Sequence, residues 1–193
     1  MTEQQKHYLE SITTAGFKLT DVVTGILELA EIEGGTIPVS IENLDVVPLI
    51  ENLIKEMRPL AEKAGINIFN SLALQEKVLV VADARHLNQV MMNLISNAIQ
   101  YNKKDGSVLI AIGRADSNKV QIRVSDTGHG IPNEKLDTVF EPFNRLGREY
   151  STIEGIGLGL SVARGLIKLM NGTILVESEV EKGTSFTIEL PTV

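Results

Sequence analysis

Hydrophobic positions repeat along this chain with two different periods. Across residues 4–33, Ile12, Ala15, Leu19, Val22, Ile26 and Leu29 recur at alternating spacings of three and four. That predicts one long helix with a narrow heptad seam, ended by Gly34-Gly35. So thin a seam needs a partner. The partner is either the body of the chain or a second helix in a dimer, and the terminal position and polar far side favour the dimer. A short strand is expected at 38–41 (PVSI). Asp45 then caps a helix to about Ala64, with Val46, Leu49, Ile50, Leu53, Ile54, Met57 and Leu60 on one side and Gly65 as its stop. Alternation predicts strands at Ile66–Asn70 and Val78–Val81, and Asp83 caps a further helix over 84–101. Strands at Ser107–Arg114 and Lys119–Ser125 flank a turn around Asp116-Ser117-Asn118. A helix from about Leu158 to Met170, a turn at Asn171-Gly172 and strands at Thr173–Glu177 and Ser185–Leu190 close the chain. Helices with mostly hairpin-linked strands predict an α+β two-layer sandwich, not a doubly wound parallel sheet.

Polar residues interrupt this pattern in three places. The helix at 84–101 carries Asn93 and Asn97 one turn apart, on one face, although Asn is a poor mid-helix residue. They are either a solvated face or a pair of neutral oxygen ligands for a hard cation and phosphates, since Mg²⁺ takes oxygen ligands and keeps several waters. Asp126-Thr-Gly-His-Gly-Ile-Pro132 follows directly on a strand. An ionised Asp only accepts hydrogen bonds and so suits an exocyclic amine such as that of adenine. Gly128 and Gly130 would let the chain pass close to a flat ring. The plainer reading is a glycine turn with an Asp cap. Gly155-Ile-Gly157-Leu-Gly159-Leu160 precedes a helix, where backbone N–H groups and the helix dipole favour an anion. It is not G-x-G-x-x-G, because Leu160 takes the last position. It is not a P-loop, because no Gly-Lys pair occurs. Residues 126–160, rich in glycine, read as a long irregular segment of the kind that is usually functional.

The order of these elements resembles the ATP-binding catalytic domain of sensor histidine kinases, within the superfamily that includes DNA gyrase and heat-shock chaperone ATPases. Asn93–Asn102 resembles that family's asparagine box, Asp126–Ile131 its first glycine box and Phe140-Glu-Pro-Phe143 its phenylalanine box. Gly155–Leu160 resembles the second glycine box, and Gly183-Thr184-Ser185-Phe186 the closing one. The resemblance covers 36–193. It implies a Bergerat-type fold, a mixed and mostly antiparallel sheet with helices on one face, preceded by the long helix. Residues 1–35 resemble the second helix of the dimerisation and phosphoacceptor hairpin, which implies a homodimer through a four-helix bundle.

The roles that follow are those the resemblance implies. Asn97 ligates Mg²⁺ and Asn93 sits against the phosphates of ATP. Asp126 accepts from the adenine amino group, and Tyr101 lies against the ring or is a plain core aromatic. Gly128, Gly130, Ile131, Gly155, Gly157, Leu158, Gly159 and Leu160 shape the pocket and its lid at 132–154. Thr184 supports the adenine end through its hydroxyl. Arg145, favoured over Arg148, reaches the terminal phosphate, where a guanidinium spreads charge. The implied activity is transfer of the γ-phosphoryl group to a histidine absent from this chain, with a response regulator or an acceptor histidine domain as partner. The alternative is a nucleotide-binding docking module without transfer.

Three features depart from the family pattern. Gln100 stands where Lys or Arg is frequent. Glu181 stands where the closing box usually has glycine. None of His7, His86 and His129 lies in a His-acid-x-x-x-Pro setting, so each reads as a surface or satisfied histidine, and the chain looks like a fragment or acts on another chain's histidine.

Composition narrows the rest. The 193 residues carry a formal charge of −7, which argues against nonspecific nucleic-acid binding. The absence of cysteine excludes disulfide, thiol and cysteine–zinc chemistry. No apolar run is long enough to span a membrane and the N-terminus lacks a signal-peptide core, so a cytoplasmic chain without membrane contact is expected, whether or not a longer parent is anchored.

Overall fold

The computed structural model describes residues 1–71, 77–116, 118–145 and 156–192. Helix α1 spans Glu3–Glu33 and opens on a capping box, in which the Thr2 hydroxyl accepts from the Gln5 N–H and the Gln5 side chain accepts from the Thr2 N–H. The elements that follow are β1 (Glu42–Asp45), α2 (Val46–Ala64), β2 (Asn67–Asn70), β3 (Leu79–Ala82), α3 (Ala84–Gln100), β4 (Ser107–Asp116) and β5 (Lys119–Asp126). The short α4 (Asn133–Leu136), α5 (Gly159–Leu169), β6 (Thr173–Glu179) and β7 (Gly183–Pro191) complete the chain.

Five strands form one sheet in the order β2-β4-β5-β7-β6. Only the β2–β4 pairing is parallel; the other pairs are antiparallel. Helices α2, α3 and α5 pack together and against this sheet, giving the α+β sandwich that the sequence pattern predicts. Alternation explains which face they cover. In β5, Val120, Ile122 and Val124 are buried beneath the helices, while the intervening Gln121 and Arg123 bond across the other face to Glu189 and Thr187 of β7. The helices answer with Ile50, Leu53, Leu87, Met91, Leu94, Ile95, Leu166 and Ile167, all essentially inaccessible.

Two aspartates hold the helix starts. Asp45 Oδ1 accepts from the Val47 N–H, capping α2, and from the Val78 N–H, which ties β3 to that cap, both at 3.2 Å. Asp83 Oδ1 accepts from the His86 N–H at 3.0 Å, capping α3, while its Oδ2 accepts from the Ser40 N–H at 2.7 Å and fixes the connector after α1.

The expected strand at 38–41 is not formed. The strand lies at Glu42–Asp45, where it pairs antiparallel with β3. Asp45 must end β1 and cap α2 at once, so the register is set by that cap. The segment before it is held by Ser40 on Asp83. The expected irregular stretch from 126 onward is shorter than read, because α4 interrupts it. Of the expected seam of α1, Val22 and Leu29 are partly covered, while Ile12, Ala15, Leu19 and Ile26 stay exposed. Gly25, Glu28, Leu29 and Ile32 are partly covered; Gly25 lies against Leu158, Ile32 packs on Gly165 of α5, and Gln89 donates to Glu28 at 2.6 Å. Toward the N-terminus, Tyr8, Leu9, Ile12, Phe17 and Leu19 are more than half exposed.

Leu94 sits under the face of α3 that carries Asn93 and Asn97, and it has no exposed surface. Replacing it with Ala removes buried carbons and leaves a cavity, so Leu94→Ala is expected to lower stability by about 2–5 kcal/mol. Urea denaturation at constant pH checks this; a loss below about 1 kcal/mol would mean that α3 is not the centre of the core.

Candidate active site

A cavity of about 360 Å³ opens between α3, the end of β5, α4, the start of α5 and the β6–β7 hairpin. From α3 and its end it takes Asn97, Gln100 and Tyr101, and from β5 it takes Asp126. Gly130, Ile131 and Pro132 form one wall; Lys135, Val139, Asn144 and Arg145 another. Ile156, Gly157, Gly159 and Leu160 lie at the α5 end, and Thr184 and Phe186 at the hairpin.

Asp126 sits at the last position of β5, so its side chain leaves the sheet where pairing stops. Its Oδ1 accepts from the Gly128 N–H at 2.8 Å and the Thr184 N–H at 3.2 Å. Oδ2 has no partner among the described residues, which leaves an acceptor on the cavity wall. Burial pushes the carboxyl pKa up, and the two N–H bonds offset part of that rise. Gly183, at φ +123°, is what brings Thr184 so close: a Cβ there would run into the Asp126 backbone. Gly130, at φ +68°, presses on the Glu179 backbone from the opposite side of the hairpin.

Ser178 of β6 was missed by sequence reasoning. Its hydroxyl donates to the Gly183 carbonyl at 2.9 Å and accepts from the Ile131 N–H at 2.8 Å. With its one proton used, the 2.9 Å contact to Thr184 must be donated by the threonine. Thr184 thereby keeps its oxygen lone pairs as acceptors beside Asp126. Ser178 resembles any polar residue in an alternating strand, so nothing local in the sequence marks it.

At the other end, Asn97 is half-buried, lines the cavity and makes no side-chain hydrogen bond among the described residues. Its amide oxygen is therefore available to a hard cation. Among the described residues no cluster of three His, Cys, Asp or Glu could hold a metal, so a cation here would draw its remaining ligands from water and phosphate. Helix α5 starts without a side-chain cap, with Gly159 and Leu160 on the cavity wall. Phe140 packs edge-on to Phe186 at 6.2 Å and carries the Arg164 guanidinium 5.5 Å above its ring, which fixes the turn leading to Asn144 and Arg145.

The structure brings together Asn97, Tyr101, Asp126, Gly130, Ile131, Arg145, Gly157, Gly159, Leu160 and Thr184. It sets three expected residues apart. Asn93 and Leu158 line a neighbouring groove of about 300 Å³ between α1, α3 and α5. The Asn93 amide is committed to the Gly159 carbonyl at 3.1 Å, so it braces α3 against the start of α5. Gly128 turns the backbone onto Asp126 without lining the cavity. Gly155 and Arg148 lie outside the described residues. Gln100 is on the wall at the position of the expected cation, and Glu181 adopts φ +64°, which explains why glycine suits that place. Of the histidines, His86 is buried 3.3 Å from Asp83, and His129 faces Glu181.

A two-layer sandwich with a mostly antiparallel sheet, and a cavity at the end of α3 edged by glycines and an uncapped helix start, defines the class as an α+β domain. Residues 82–193 match the family described as histidine kinase-, DNA gyrase B- and HSP90-like ATPase, and the chain belongs to that family. The circadian input-output histidine kinase CikA of Synechococcus elongatus is 31% identical over 196 residues, spanning 99% of this chain and 26% of its own length. Full-length ShkA in complex with AMPPNP aligns at a TM-score of 0.83 and 27% identity, over 100% of this chain and 40% of that one. The histidine kinase ThkA in complex with the response regulator TrrA gives 0.76 and 26%, over 100% and 53%. The chain thus spans about a quarter of the length of CikA. No helix among the described residues is long and apolar enough to cross a membrane.

Burial raises the Asp126 pKa above its unfolded value, so the native state holds that proton more tightly. Its stabilising contribution is complete below the unfolded carboxyl range and is lost as pH rises through the shifted value. An amide at 126 can still accept both N–H groups without burying charge. Asp126→Asn is therefore expected to melt at or above the parent temperature at pH 7, with the difference closing toward about pH 3. Thermal unfolding across that range checks the sign; a variant that is less stable at pH 7 contradicts it.

Proposed function

We propose that this chain binds Mg·ATP in the cavity and serves as the catalytic domain of a two-component sensor histidine kinase. The observation that carries this reading is the pairing on one cavity of two polar groups with no hydrogen-bond partner among the described residues: Asp126 Oδ2 and the Asn97 amide. The carboxylate accepts from the adenine amino group, with the Thr184 hydroxyl beside it and Tyr101 along the wall. The triphosphate runs toward the start of α5, where backbone N–H groups and the helix dipole meet its charge. Asn97 would hold Mg²⁺, which when bound would supply neutralisation of the phosphate charge. Arg145 spreads the charge that develops on the terminal phosphoryl group.

The acceptor is an imidazole nitrogen of a helical hairpin. Its lone pair attacks the γ-phosphorus, a P–N bond forms, and the bond to the bridging oxygen breaks with departure of ADP. The chain contributes positioning and charge neutralisation. Support for this acceptor comes from the histidine kinases among the relatives and from the exposed apolar positions on α1, a surface suited to a homodimeric bundle. The ThkA–TrrA complex supports a response regulator as the next partner.

Calorimetric titration with Mg·ATP tests the site. Asn97→Ala is expected to remove the magnesium dependence of binding, and Asp126→Asn to weaken binding at least tenfold, in line with leaving a recognition hydrogen bond unmade. Unchanged affinity in both variants rejects the assignment. Incubation with γ-labelled ATP and a separate acceptor hairpin tests the chemistry. Acid-labile phosphohistidine is expected; binding without transfer would reduce the chain to a nucleotide-binding module.

A further inference from the structure

Three separate segments meet beside Asp126: the loop after α3, the glycine loop at 128–131, and the tip of the β6–β7 hairpin. Backbone bonds join them in series. The His129 N–H donates to the Tyr101 carbonyl at 3.3 Å, and the Glu181 N–H donates to the His129 carbonyl at 2.8 Å. The Lys103 ammonium then donates to the Glu181 carbonyl, two residues along from Tyr101, and closes the circuit. The side chains repeat the connection in charge. Lys103 Nζ lies 2.8 Å from Glu181 Oε2, and His129 Nδ1 lies 3.8 Å from Glu181 Oε1. Every segment in this ring presents an adenine-end residue: Tyr101, the Asp126–Gly128 turn, or Thr184.

The cost of the arrangement is visible at Glu181. Its φ of +64° is a conformation that a glycine would adopt without strain. A glutamate held there needs a compensating interaction, and the Lys103 ammonium at its carboxylate provides one. Lys103 also holds the Glu181 carboxyl below its usual range.

We propose that Lys103, Glu181 and the His129 backbone form a positioning clamp around the adenine end of the cavity, and that the Lys103–Glu181 ion pair tightens nucleotide binding by holding the three segments together. The inference rests on the nucleotide reading above. The other charged groups on these segments are Lys104 and Asp105 after α3, Asp126 itself, and the Glu179–Lys182 pair of the hairpin at 2.6 Å. Exposed ion pairs are screened by salt, so the clamp's share of the affinity should shrink as ionic strength rises.

The test is calorimetric titration of the 193-residue chain with Mg·ADP at constant pH in about 0.05 and 0.5 M salt, in parallel with Glu181→Gln, Glu181→Gly and Lys103→Gln. Screening of the nucleotide's own charge is common to all four proteins and cancels in the ratio of dissociation constants. Glu181→Gln and Lys103→Gln are each expected to bind about two- to fivefold more weakly than the parent in low salt, with the gap narrowing in high salt, as suits exposed ion pairs. Glu181→Gly should melt at a higher temperature, because its backbone strain is relieved, and still bind more weakly; a merely structural Glu181 would not separate these two readouts. A ratio near one throughout, or one that does not change with salt, overturns the clamp and leaves the adenine site standing. A parent chain that binds no Mg·ADP in either salt overturns the adenine reading and the clamp with it.

Discussion

The structure depends on how it keeps one carboxylate out of water. Asp126 stands at the end of a central strand, where the sheet stops and the cavity begins. A buried carboxylate without partners would take up a proton or unfold its surroundings. Two backbone N–H groups on a single oxygen keep it useful, and those two come from different segments, Gly128 and Thr184. Bringing both donors within reach requires the hairpin backbone to touch the strand end, which only residues without a Cβ permit at positions 128 and 183. The glycines of this region follow from that constraint. Satisfying one oxygen leaves the other as an acceptor on the cavity wall.

Helix α3 carries the opposite half of the problem. Its buried side, from Leu87 to Ile99, fills the centre of the core, so its exposed side is rigidly placed. Asp83 fixes where it begins, and Tyr101 closes its end at the cavity. The two asparagines then divide the work by direction. Asn97 points its amide to open space, whereas Asn93 is spent on the Gly159 carbonyl. That bond matters because α5 has no side-chain cap of its own. One asparagine holds the start of α5 in place, and the other faces the cavity with no side-chain hydrogen bond among the described residues.

Much of this was legible in the sequence, for physical reasons that differ between elements. Helices α2, α3 and α5 bury one face each, and that periodicity is local. Strands β4 to β7 alternate cleanly because only one face of the sheet is covered. Asp126 and Asn97 stood out because their residue types conflict with the local pattern, and such conflicts concentrate at functional sites. The first strand was misplaced because β1 is held by pairing with β3 and by the cap at Asp45, neither of which leaves an apolar trace in Glu-Asn-Leu-Asp. Asn93 was read as Asn97's equal since spacing puts both on one face; which of them is engaged depends on where the start of α5 docks. Ser178 and Lys103 gave no local signal, because their partners lie at positions set by the tertiary fold.

Unfavourable features cluster around the cavity, and their distribution is itself informative. Glu181 and Phe143 sit at positive φ, Asp126 is a desolvated carboxyl, and Phe143 exposes more than half its surface. A non-glycine residue at positive φ and a desolvated carboxyl each cost on the order of 1–3 kcal/mol. The core beneath has apolar strands and helices, and its buried Asp83 is engaged by two backbone N–H groups. A marginally stable domain can hold such strain only where the surrounding packing over-determines the backbone. Here β5, β7 and α3, the best-buried elements, converge directly behind the strained segments. The sandwich supplies a surplus of packing on one side of the sheet's end, and the cavity draws on it at the other.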